Sequence, residues 1–247
     1  GDASFGGITS GGLTTVTAGS ITADTVLAGD VRLDANGAVF VGHGESDADF
    51  TVTAGSFATG PGTVITDGDI VVDVTGNADI ADSRAGGLID VAAGQAIVFG
   101  DITSGTSTSL AAGTDITGTS MMAGSDITVS GGGLTVDSIN AGGLLDLDFA
   151  TALLGDVTST GSADFTGSAL TIASGEFGST FFADIAGAAH LGTSAAAGLA
   201  NINSVSLADR NEILEWAREV VEFRATLTVE AINETLANRG TLPLPKE

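Results

Sequence analysis

Carboxylates are the only abundant reactive side chains in this chain. Aspartate and glutamate total 31, against seven lysines and arginines, two histidines and no cysteine. Two stretches space acids closely: Glu45-Ser46-Asp47-Ala48-Asp49 and Asp67-Gly68-Asp69. Oxygen ligands at that spacing, with turn carbonyls between them, suit a hard cation such as calcium. Asp67, Asp69, Asp47 and Asp49 are therefore candidate calcium ligands. Neither stretch completes an EF-hand loop, and there is no Gly-Gly-x-Gly-x-Asp array. Solvated turn aspartates are the competing reading. Carboxylate pairs also cleave glycosidic bonds when correctly separated, which singles out Asp67/Asp69/Asp73, Asp79/Asp82 and Asp146/Asp148. A lyase acting on uronates needs bases to hold its substrate, and residues 1–209 offer only Arg32 and Arg84. His43 and His190 have no ligand-spaced partner and read as turn or surface residues. No Gly-x-Ser-x-Gly elbow occurs. Gly42-His43-Gly44 and Gly60-Pro61-Gly62 lack the rest of any phosphate-binding fingerprint and read as turns. The absence of cysteine excludes disulfides, thiolate zinc sites and cysteine nucleophiles. With no nucleophile–base pair, metal triad or cofactor loop in view, the expectation is a protein without catalytic activity and without a cofactor, calcium excepted.

The charge narrows the partners. A formal net charge of −24 and an isoelectric point near 4.1 leave no basic footprint for nucleic acid. Anionic membrane surfaces repel such a chain for the same reason. No apolar run is long enough to span a bilayer as a helix. A cationic partner remains open, and so does the plainer role of charge in keeping a β-rich surface soluble.

The elements that must carry these residues are legible in the composition. Glycine and alanine each number 37 of 247, aromatics are 5%, tyrosine is absent and Trp216 is the sole tryptophan. Side chains this small cannot fill a wide core. Yet 43% hydrophobic residues and a mean hydropathy of +0.38 argue against disorder. Residues 1–209 are repetitive. A small residue, glycine, a polar or small residue and an aliphatic recur, as in Ala18-Gly19-Ser20-Ile21, Ala54-Gly55-Ser56-Phe57 and Ala141-Gly142-Gly143-Leu144. Between the glycines lie alternating stretches such as Leu13-Thr14-Thr15-Val16-Thr17, Phe50-Thr51-Val52-Thr53 and Asp126-Ile127-Thr128-Val129-Ser130. Period-two alternation with β-branched residues predicts short strands with one buried face. A sandwich needs larger inward side chains to fill its sheet gap. A β-solenoid, with a narrow core of stacked like residues, fits better. Two strand–turn units would form a rung of about 20 residues. About ten rungs at ~4.8 Å each predict a rod roughly 50 Å long.

The phrases Gly100-Asp101-Ile102-Thr103, Ser125-Asp126-Ile127-Thr128 and Gly155-Asp156-Val157-Thr158, with stretches such as Leu110-Ala111-Ala112-Gly113, carry a resemblance. Over residues 7–200 the chain resembles the repeat region of filamentous-haemagglutinin-like adhesins, exoproteins exported by two-partner secretion. Autotransporter passengers look similar. The resemblance implies a right-handed parallel β-helix, secretion or display at a bacterial cell surface, and an adhesive role. The Asn-Pro-Asn motifs of that family's secretion domain do not occur here, which implies a fragment of a longer exoprotein or a divergent one.

The last residues differ in kind. Residues 210–247 hold five of the seven bases and seven of the nine glutamates. Asp209 with Glu212 starts a capping-box-like pattern, and Ile213, Leu214, Ala217, Val220 and Val221 follow near helical spacing. Gly240, Pro243 and Pro245 end it. The chain is thus expected to be an all-β solenoid over 1–206 with a helical segment over 207–247. That segment would cap the last rung or dock a partner. The leading functional expectation is a structural or adhesive rod at a bacterial surface or in the extracellular matrix, meeting surface glycans or other copies of itself. The alternatives are a secreted β-helical polysaccharide lyase or glycosidase, and a scaffold whose tail helix binds a partner.

Overall fold

The alternating stretches form strands, and the glycine phrases form the corners between them. The structure, a computed structural model of the chain, describes residues 1–204. The helix expected over 207–247, and the domain boundary at 206, lie outside the described residues. Within 1–204 the chain winds a parallel β-solenoid of about 11 turns from 23 strands. Ile70 pairs with Ile89 and Ile89 with Thr108, so a turn there takes nineteen residues. Further along, Leu145 pairs with Ala163 and Ala163 with Phe181, a step of eighteen. Among the described residues every strand pair is parallel, and each turn lies against the one before it.

Three sheets wrap the core. The first contains Leu13–Ala18, Phe50–Ala54, Ile70–Val74 and, at its far end, Ala200–Ser204. The second contains Ala3–Phe5, Ser56–Thr59 and Ala78–Ile80. The third contains Ile8–Thr9, Val64–Thr66 and Ser83–Ala85. Two long strands, Ile127–Ala141 and Leu145–Ser159, run through all three faces in one turn and stay paired round the corners. The rung length and rung number match the sequence expectation, but each turn holds three strands, not two. The third strand is short and often joins the second without a clear break, as in Ile21–Ala28 and Ile97–Ser104. In Ile21–Ala28 that corner carries no glycine at all, and in Ile97–Ser104 Gly100 lies inside a continuous strand.

Inward positions stack by type along the axis. Phe50, Ile70 and Ile89 follow one another in one column, each at most 1% exposed. Each such column removes apolar surface from water at about 25 cal/mol per Å². At some of the rings that enter the core, a neighbouring glycine makes room. Phe99 lies beside Gly118 on the next turn, and a Cβ there would overlap the ring. Phe149 stands to Gly167 in the same way. At the far end Phe177 and Phe181 stack at 4.5 Å, with Phe165 edge-on to both. The corner column Gly86, Gly105, Gly124 and Gly142 is glycine for a second reason. A Cβ at each would run into a carbonyl oxygen of the preceding turn.

Candidate functional site

The corners are where most of the flagged aspartates reside, and their carboxylates have a structural task. Asp49 Oδ1 accepts from Asp69 N at 3.0 Å, and Asp69 Oδ1 accepts from Leu88 N at 2.8 Å. Asp82 serves Asp101 N, Asp115 serves Gly133 N and Asp126 serves Leu144 N in the same manner. Asn77 does this with an amide oxygen, toward Ala96 N at 3.1 Å. The strand after each corner bonds in the other direction. Phe50 N donates to Asp69 O at 2.8 Å, and Ile127 N donates to Leu144 O at 2.9 Å. A corner aspartate therefore continues the backbone ladder past the end of the strand, satisfying an N–H that has no strand partner.

The four candidate calcium ligands divide into two pairs. Asp49 and Asp69 are engaged in the corner ladder. Asp47 and Asp67 are exposed and line an open groove with Thr9, Leu27, Glu45 and Ile65. Thr66 Oγ1 donates to Ala48 O between them. Among the described residues, no group of three or more histidine, aspartate or glutamate side chains is disposed to hold a metal ion.

The candidate sugar-cleaving clusters separate. Asp73 and Asp79 are exposed on different sheets, and Asp82 serves its corner. Asp146 and Asp148 do share the outer face of the first sheet. A third acid, Asp164, joins them, because its turn places it directly beside Asp146. Partial burial, then the charges of Asp164 and Asp148, push the Asp146 carboxyl above its usual range. The shift is in the direction that a proton donor needs. Arg32 lies in the same outward column, but the register through Thr51, Val71, Asp90, Ser109 and Thr128 puts it six turns away. At ~4.8 Å per turn that is about 29 Å, too far to bind a substrate carboxylate at Asp146. Arg84 is on the third sheet.

His43 has more company than its isolation in sequence suggests. Its Nε2 and Glu45 Oε1 are 3.0 Å apart, and Thr63 Oγ1 lies 3.3 Å from its Nδ1. Glu45 is two residues along the same strand, and Thr63 comes from the next turn. The ring links two turns on an outer edge, with its side chain 33% and Glu45 55% exposed. His190 lies on the outer face of the second sheet, paired in register with Thr171. The threonines Thr51 and Thr53 face outward as expected, but their columns continue into Val71 and Asp73 rather than into further threonines. Inward columns are mostly apolar, with an occasional buried Thr108 or Ser83, whereas outward columns mix charged, polar and apolar residues. The sequence offered no sign of Asp164 beside Asp146, or of Thr63 beside His43. Both contacts span one turn, and only the register reveals them.

No family model, no curated protein and no solved structure matches the chain.

Proposed function

We propose that this chain is a non-catalytic rod with a structural or adhesive role at a bacterial cell surface or in the extracellular matrix. The observation that carries the reading is the use made of polar side chains. Asp49, Asp69, Asp82, Asp115 and Asp126 serve the backbone of the next turn, and apart from the Asp146, Asp148 and Asp164 carboxylates and the groove at Glu45, Asp47 and Asp67 the outward groups are spread over about 11 turns. An enzyme needs one concave place where several groups meet. A rod needs a long repeated stack with a varied outer surface. The resemblance to filamentous-haemagglutinin-like repeats supports secretion and adhesion, and with them a right-handed coil. Surface glycans, met through many weak polar contacts, are the partners this surface suits.

The reading is tested by passing the purified chain over acidic and neutral polysaccharides. Retention without release of reducing or unsaturated ends is expected. Retention should survive Asp67→Ala, Asp47→Ala or His43→Ala alone, and fall when whole turns are deleted. Calcium is the cofactor to compare against magnesium in the same assay, since ligation would favour calcium and charge screening would not. The raised Asp146 carboxyl beside Asp164 favours one second reading, a carbohydrate-active enzyme. Release of sugar ends, abolished by Asp146→Asn with Asp164→Asn, would establish that reading and end the first.

A further inference from the structure

His43 and Glu45 stand two residues apart on one strand, Ala38–Ser46, with Gly44 buried between them. His43 Nε2 and Glu45 Oε1 are 3.0 Å apart, and both side chains are partly exposed. The backbone between them is held from below. A Cβ on Gly44 would lie 2.7 Å from the buried Phe50 ring, and Gly44 N donates to Thr63 O at 3.0 Å. Thr63, on the next turn, also places its Oγ1 3.3 Å from His43 Nδ1. Both ring nitrogens are thus engaged, and the ring cannot turn without losing both contacts.

An imidazole nitrogen beside a carboxylate oxygen is a donor pair for borderline divalent metals such as zinc and copper(II). Metal–ligand bonds of ~2.0–2.2 Å, meeting between a right angle and the tetrahedral angle, hold two donors ~2.9–3.4 Å apart. The observed 3.0 Å falls within that range. A ligating imidazole gives its other N–H to an oxygen, which fixes the ring and its tautomer. Thr63 Oγ1 stands where that acceptor is needed.

From the spacing of the two donors, the held ring and the exposed outer side, we propose that His43 Nε2 and Glu45 Oε1 chelate a divalent transition metal of this class. The metal takes the place of the proton shared by Nε2 and Glu45. That proton passes through solvent to Nδ1, and Nδ1–H donates to Thr63 Oγ1. Among the described residues no third histidine, aspartate or glutamate side chain completes the set, so water fills the remaining positions. The nitrogen donor separates this site from the calcium candidates, since calcium takes oxygen ligands. The proposal goes beyond the rod reading and does not depend on it.

The probe is equimolar Cu2+, added to the full chain in a large excess of magnesium, which occupies carboxylates that attract cations only through the net charge of −24. Pulsed EPR should show the remote-nitrogen signal of one coordinated imidazole. Zinc should displace the copper and calcium should not. Thr63→Val should weaken binding roughly tenfold, the lower end of what such a partner contributes, and should shift the Nδ1 frequencies, which a merely structural change would not move. His43→Ala should abolish the imidazole signal and weaken binding further than that. If His43→Ala disturbs the β-type circular dichroism, Glu45→Gln decides, because Glu45 is already largely exposed. It should weaken binding severalfold with the imidazole signal retained. His190→Ala should leave signal and affinity unchanged. A copper signal from oxygen ligands alone would overturn the proposal and mean adventitious binding to an acidic surface. So would an imidazole signal that survives His43→Ala, an affinity indifferent to Glu45→Gln, or Nδ1 frequencies indifferent to Thr63→Val.

Discussion

Asp126 shows what a carboxylate does at a corner: its Oδ1 receives the N–H of Leu144, one turn on. Asp126→Ala should lower unfolding free energy by about 1 kcal/mol, the worth of one such hydrogen bond. Asp126→Asn should lower it less, since Asn77 fills the same role at another corner with an amide oxygen. Urea denaturation of the three proteins measures the difference. Asp146 behaves oppositely. Its carboxyl is raised by partial burial and by Asp164 and Asp148, so the folded state favours the protonated form. The stability this lends is fully present below the usual 3.8 and is lost as pH rises through the raised value. Asp146→Asn should therefore raise the denaturation midpoint at neutral pH, with the gain vanishing below pH 3.8. A gain that persists in acid would show that charge is not its source. The sequence showed where the acids are but not which of these tasks each performs. Asp49 and Asp69 sit in motifs that suit a cation equally well, and the N–H groups they serve lie nineteen or twenty residues away.

At the scale of strands and turns, period-two alternation located Leu13–Ala18 and Phe50–Ala54 almost to the residue. It did so because one face of each strand is buried and the other is wet. The third strand of each turn escaped notice. Ser83–Ala85 is three residues long, too short to show a period, and a buried serine occupies a column otherwise held by Val64 and Ile102. The pairing of rings with glycines was equally hidden, since Phe99 and Gly118 are nineteen residues apart. It has a measurable energy. Gly118→Ala places a methyl group against the Phe99 ring and should destabilise by about 1–3 kcal/mol, as overpacked cores do. Combining it with Phe99→Leu should recover part of that loss. A double-mutant cycle with no coupling would mean the ring moves aside without cost.

For the molecule as a whole, small side chains and recurrent glycine turns foretold the solenoid, because a core only one side chain deep needs no bulk. Composition was silent on how the outer faces would be laid out, since outward columns mix residue types from turn to turn. The stack also dictates a direction of weakness. Backbone hydrogen bonds between turns point along the axis, so a force pulling the two ends apart loads one turn at a time, as a zipper is opened. Each turn that comes free yields seventeen to twenty-one residues, or roughly 60–70 Å of extended chain. Optical-tweezer extension should show a staircase of small, similar steps at low force. A single rupture that releases the whole stack would mean that the turns yield together. If the staircase is found, a solenoid of this kind lengthens under load in increments and re-forms when the load drops, giving it the mechanics of a shock absorber.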